Sequence, residues 1–192
     1  MKRLAIAVAV GALFSGTALA QQGTVQRDVN QQNRIEQGLQ SGSLTTKEAS
    51  RLEGEESRIQ NQQARDLKNG SLSPAEKARL DREQNQASRD INRLENNKAT
   101  GNPNSASSRR MQADVQRNAN QQARIEQGVK SGQLTNREAG RMERGESHVD
   151  RQEARAGRNG HVGAAEQHRV QTAENRESRR IHNQKHDAQT RK

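Results

Sequence analysis

From Leu4 to Phe14 the chain is an unbroken apolar run, and beyond it the apolar residues are scattered at helical spacing. Val25, Val29, Ile35 and Leu39 form one set, Leu52, Ile59 and Leu67 a second, and Leu80, Ala87, Ile91 and Leu94 a third. Such spacing marks a narrow seam, closer to the seven-residue period of a coiled coil than to the broad apolar face of a globular helix. The residues between the seam positions are mostly Gln, Arg, Glu, Ala and Lys, all good helix formers, and only Pro74 and Pro103 interrupt them. The pattern predicts helices over 25–40, 45–68 and 73–97, and again over 111–130, 135–158 and 164–187.

The second trio is a copy of the first. Asn30-Gln-Gln-Asn-Arg-Ile-Glu-Gln-Gly38 returns as Asn120-Gln-Gln-Ala-Arg-Ile-Glu-Gln-Gly128, and the offset of 90 holds without a gap to Ile91 and Ile181. Between the copies, Ala99-Thr-Gly-Asn-Pro-Asn-Ser-Ala-Ser-Ser108 is polar and has no apolar period, so 99–110 reads as a linker. Repeat 1 therefore spans 25–98 and repeat 2 spans 111–188. The expected fold class is all-α: two tandem three-helix repeats of helical-hairpin type, with thin cores and a partly disordered linker and termini. Copy 2 is expected to pack less firmly, because Gly157 replaces Leu67 and the glycines at 140 and 145 each cost about 1 kcal/mol inside a helix.

A shorter echo marks the helix junctions. Gly42-Ser-Leu-Thr-Thr-Lys-Glu48, Gly70-Ser-Leu-Ser-Pro-Ala-Glu76, Gly132-Gln-Leu-Thr-Asn-Arg-Glu138 and Gly160-His-Val-Gly-Ala-Ala-Glu166 each pair a helix-closing glycine with a following helix start. Thr45, Ser73 and Thr135 stand three residues before Glu48, Glu76 and Glu138, the arrangement of a capping box. In the fourth junction Gly163 takes the cap position, leaving Glu166 without a hydroxyl partner.

Composition narrows the classes available. After Phe14 the chain has no aromatic residue, and its large aliphatics after position 20 are twenty Leu, Ile and Val with Met111 and Met142. A water-excluding catalytic pocket is lined mainly by apolar and aromatic groups, so no enzyme and no organic cofactor are expected. Gly145-Glu-Ser-His148 is the one local pairing of a hydroxyl with an imidazole, and adjacent helical residues point in different directions. With no cysteine, disulfides, thiolate metal sites and a lipidated N-terminus are all excluded.

Met1, Lys2 and Arg3 precede the apolar run and Ala18-Leu19-Ala20 follows it, the three parts of a secretory signal peptide over 1–20 with cleavage after Ala20. The run is too short to span a bilayer, which needs roughly 20 residues, and release into the periplasm or the medium is expected. The turns and the tail Ser178-Arg-Arg-Ile-His-Asn-Gln-Lys-His-Asp187 resemble those of a group of small exported proteins of Gram-negative bacteria, over nearly the whole chain after the leader. The resemblance implies no activity.

Two chemistries remain. All five histidines lie in copy 2, and His182 and His186, four apart, share a helix face and form a candidate metal pair with Asp187 nearby. The Gly-x-Leu-Thr-x-x-Glu turns resemble the second half of a calcium-binding EF-hand loop, but the positions that should carry acids hold Gln37, Leu39 and Ser41, or Arg65, Leu67 and Asn69. The other chemistry is charge. A formal net charge of +10 suits association with an envelope protein or an anionic polymer, or self-association. Nucleic acid is disfavoured, since no aromatic side chain can stack on a base. The leading expectation is an exported, non-enzymatic protein that acts by association; the alternative is a periplasmic divalent-metal-binding protein.

Overall fold

The computed structural model describes residues 15–187, with side chains from residue 23 onward. Six helices follow one another: α1 (Ser15–Ser41), α2 (Thr46–Asp66), α3 (Pro74–Glu95), α4 (Ala106–Ser131), α5 (Asn136–Ala156) and α6 (Ala164–Lys185), with a 3-10 turn over Leu67–Asn69. The fold is all-α, and no helix among the described residues is long and apolar enough to cross a membrane. Residues 1–14 of the expected signal peptide lie outside the described residues, and the α1 backbone runs from Ser15 across the expected cleavage position.

The junctions are built by local chemistry. Gly42, Gly70, Gly132 and Gly160 have φ of 79, 92, 78 and 85°, the left-handed conformation that a side chain would strain. The amides of Glu48, Glu76 and Glu138 donate to the hydroxyls of Thr45, Ser73 and Thr135, and each glutamate accepts in return from the cap's amide at 2.8–2.9 Å. At the fourth junction the Gly163 amide donates to Glu166 at 2.8 Å, so half of the box survives without a hydroxyl.

The linker is shorter than the sequence suggests and is docked. Helix α4 begins at Ala106, because the Ser105 hydroxyl accepts from the Ser108 amide and ends the irregular segment there. Upstream, the Gly101 amide donates to the Gly42 carbonyl at 2.8 Å and the Asn97 amide to Glu48 at 2.6 Å, which ties the segment to the first junction.

The three helices of each copy do not complete a core alone. The most extensive pairings join equivalent helices of the two copies, α2 with α5 and α1 with α4, while α3 flanks copy 1 and α6 flanks copy 2. An internal twofold axis passes between Ser57 and Ser147, residues 90 apart: the Ser57 hydroxyl donates to the Ser147 carbonyl at 2.7 Å and the Ser147 hydroxyl to the Ser57 carbonyl at 2.8 Å. The largest apolar cluster accordingly mixes Ile35, Leu39, Leu52 and Leu94 with Met111, Val115, Val162 and Val170.

The glycines of copy 2 have the opposite effect to the one expected of them. A Cβ at Gly140 would lie 2.8 Å from the Leu67 Cβ, and one at Gly157 would lie 2.7 Å from the Ser50 Cβ. Since 50 and 67 are the counterparts of 140 and 157, each contact pairs a larger residue of copy 1 with a glycine of copy 2. The glycines are what let these two helices approach closely, so copy 2 packs as tightly as copy 1 at these points.

Candidate metal centre

The inner face of α2 runs Ala49, Leu52, Glu53, Glu56, Ile59, Gln60, Gln63, Ala64 and Leu67, all buried. Its outer face carries Arg51, Arg58 and Arg65, all exposed. Helix α5 repeats this, with Glu143, Glu146, Asp150 and Glu153 buried and Arg141, Arg144, Arg151 and Arg155 exposed. The seven-residue seam is thus apolar at its ends and acidic through its middle. The neighbouring helices extend the polar belt through Asp28, Gln32, Asp114, Asn118, Gln122, Gln84, Glu174 and Glu177.

Twelve of the 23 acidic residues are buried, and no lysine or arginine is buried among the described residues. Some of these acids have evident partners. Asp66 is bridged by Arg79 at 2.7 Å, Glu174 by Arg117 at 3.1 Å, Glu177 by Arg180 at 3.1 Å, and Glu138 caps a helix. At the centre, among the described residues, no Lys or Arg forms an ion pair with the acids. There Glu53, Asp150 and Glu153, each fully buried, place carboxylate oxygens within 4.8 Å of one another, the one such set of three or more acidic or imidazole side chains among the described residues.

Amides orient these carboxylates. The Gln32 amide donates to Glu53 Oε2 at 3.0 Å, and the Asn118 amide donates to Asp150 Oδ1 at 3.0 Å and to Glu153 Oε2 at 2.7 Å. That leaves Glu53 Oε1, Asp150 Oδ2 and Glu153 Oε1 buried without a hydrogen-bond partner, together with Asn118 Oδ1 and Gln32 Oε1. Buried polar atoms nearly always find a partner; a proton shared between Glu53 and Glu153, which are hydrogen-bonded, satisfies part of this cluster, and a cation would satisfy its carboxylate oxygens together.

Electrostatics sharpen the problem. Burial pushes the Glu53 carboxyl above its usual range, and burial with repulsion from Glu53 pushes up Asp150 and Glu153. Burial also raises Asp114 to about 7, and burial with repulsion from Asp114 raises Glu174 to about 8. A buried unpaired carboxylate costs several kcal/mol, so these groups hold protons unless a cation neutralises them. The donor set is oxygen only, three carboxylates, which suits hard cations such as Ca²⁺ and Mn²⁺ rather than thiolate- or imidazole-seeking ions.

The histidines are arranged differently. His182 and His186 stack at the exposed end of α6, with ring centroids 4.3 Å apart, and His186 Nδ1 lies 2.7 Å from the His182 carbonyl. No third acidic or imidazole ligand joins them among the described residues, and His182 borders a groove shared with Arg124 and Arg179. The EF-hand-like turns commit their glutamates to capping, as described above. Ser147 and His148 do not meet: Ser147 is buried in the α2–α5 contact, and His148 is exposed beside the Gln152 amide.

Reading the sequence missed the acidic belt, because Glu and Gln at helical spacing resemble a solvated face. One signal was present. Glu53-x-x-Glu56 and Glu143-x-x-Glu146 coincide under the offset of 90 and fall in the apolar seam rather than opposite it. No protein-family model, curated protein or solved structure matches the chain.

Proposed function

We propose that this is an exported helical protein that binds a hard divalent cation, Ca²⁺ or Mn²⁺ in type, between its two copies at Glu53, Asp150 and Glu153. The observation that carries the reading is the convergence of three fully buried carboxylates within 4.8 Å, each with an orphaned oxygen and none with a cationic partner. A cation there removes the repulsion and satisfies the orphaned oxygens together. Glu53 comes from copy 1 and the other two from copy 2, so binding joins the copies, and the ion stabilises the whole bundle. Export follows from the N-terminal sequence, and cleavage after Ala20 leaves every proposed ligand in the released chain.

The test is calorimetric titration of Ca²⁺, Mn²⁺ and Zn²⁺ into protein stripped with chelator. Glu53→Gln or Glu153→Gln should weaken Ca²⁺ or Mn²⁺ at least about tenfold, since affinity follows the ligand charge count. The double variant His182→Ala, His186→Ala should bind as the wild type does. Unchanged affinity in the carboxylate variants, or loss in the histidine variant, would remove the reading.

A second reading is favoured by the same sorting of charge. With twelve acids inside, eleven remain outside against the 31 Lys and Arg that follow Ala20, so the surface is far more basic than the net charge suggests. Such a surface favours association with an anionic envelope polymer such as lipopolysaccharide. Binding should be strong at low salt and lost at high salt; salt-independent binding, or none, would count against it.

A further inference from the structure

We propose a second, weaker cation position related to the first by the internal twofold axis and built on Glu143, Asp28, Gln60 and Gln63. The inference rests on the cation-binding reading above and extends it to two unequal sites. The offset of 90 that relates the copies exchanges Glu53 with Glu143, Asp150 with Gln60, Glu153 with Gln63, Gln32 with Gln122, and Asn118 with Asp28. The structure keeps the corresponding contact, because the Gln122 amide donates to Glu143 Oε2 at 3.3 Å just as the Gln32 amide donates to Glu53.

An independent feature marks the place. Gln60 and Gln63 are fully buried; neither polar atom of the Gln60 amide has a hydrogen-bond partner, and the Gln63 amide has none except Asp28. Glu143 Oε1 is buried and unpartnered as well, while Asp28 takes hydrogen bonds from Gln84, at 2.6 Å, and from Gln63. Asp28 lies close enough to Glu143 for their repulsion to raise the Glu143 carboxyl, and the Gln63 amide lies beside Asp28. Glu143, Asp28 and Gln63 thus come from three helices to one buried region, with Gln60 one turn before Gln63 on α2, and a cation would satisfy the free oxygens there.

The two positions differ in charge. The first has three carboxylates, whereas here copy 1 supplies Gln60 and Gln63 where copy 2 has Asp150 and Glu153, leaving two carboxylates and neutral amide carbonyls. Calcium-type ions accept amide carbonyl oxygens, and their affinity falls with fewer charged ligands. The same class of hard divalent cation therefore occupies both positions, the second less tightly.

The test counts Mn²⁺ bound to the full chain by the paramagnetic resonance of free ion, with circular dichroism confirming that each variant folds. The wild type should bind two Mn²⁺ with affinities at least about tenfold apart. Glu143→Gln should abolish the weaker step alone, and Gln60→Asp with Gln63→Glu, the residues copy 2 carries, should tighten it by about tenfold or more. One ion bound in both the wild type and the double variant, with Glu53→Gln abolishing it, would overturn the second position and leave the first standing. No Mn²⁺ in any variant would overturn both.

Discussion

Glycine usually weakens a helix, and here it does so at some positions and does the reverse at others. Gly54 lies mid-helix in α2, where an added Cβ would meet only the Ala154 methyl at an ordinary 3.5 Å. Gly54→Ala should therefore raise stability by up to about 1 kcal/mol, the propensity difference. Gly140→Ala should lower it, because its Cβ would sit 2.8 Å from the Leu67 Cβ, an atom fixed to the backbone that cannot swing away without moving the chain. Thermal melts followed by circular dichroism should give midpoint shifts of opposite sign; the same sign in both would contradict the close α2–α5 contact. Ser57→Ala should cost about 1 kcal/mol, since it removes the hydroxyl that donates to the buried Ser147 carbonyl.

At the scale of the helix, starts are set by short-range chemistry and can be adjusted singly. Thr45→Ala removes the hydroxyl that accepts the Glu48 amide and should cost about 1 kcal/mol. Gly163 already has the extended cap conformation, with φ −78° and ψ 165°, so Gly163→Ser should gain a few tenths of a kcal/mol by completing its box with Glu166. Midpoints that move the other way would show that these ends are not the helix starts they appear to be. This local scale is also where the sequence was most legible. A left-handed glycine, a hydroxyl and a glutamate three residues later act within one turn, so Gly42, Thr45 and Glu48 could be placed without knowing what packs on what. The acidic belt could not, because Glu53, Glu56, Glu143 and Glu146 are ordinary surface residues until α2 meets α5 across the twofold. The start of α4 was hidden for a similar reason: Ser105 through Arg110 have no apolar period, and the helix there gains order from its Ser105 cap and from Met111 beneath it.

For the whole molecule, the interior acids predict an unusual response to pH. Asp114, Glu174 and their neighbours bind protons more tightly folded than unfolded, so the folded chain holds more protons once pH exceeds about 4. Stability of the cation-free protein is then full at and below that pH and falls as pH rises through about 7 to 8, where the folded acids ionise. Melts in chelator should give a higher midpoint at pH 5 than at pH 8, the reverse of a protein held by surface ion pairs; a higher midpoint at pH 8 would contradict the burial of these groups. Added Ca²⁺ or Mn²⁺ should restore more at pH 8 than at pH 5, since fewer protons then compete with the cation for the carboxylates.

The central claim, that a cation sits inside the bundle, is tested most directly by anomalous diffraction from crystals grown with Mn²⁺. A strong peak is expected between α2 and α5, with carboxylate oxygens of Glu53, Asp150 and Glu153 at roughly 2.1 to 2.6 Å from it. A map with no interior peak, or with its strongest peak at His182 and His186, would contradict it.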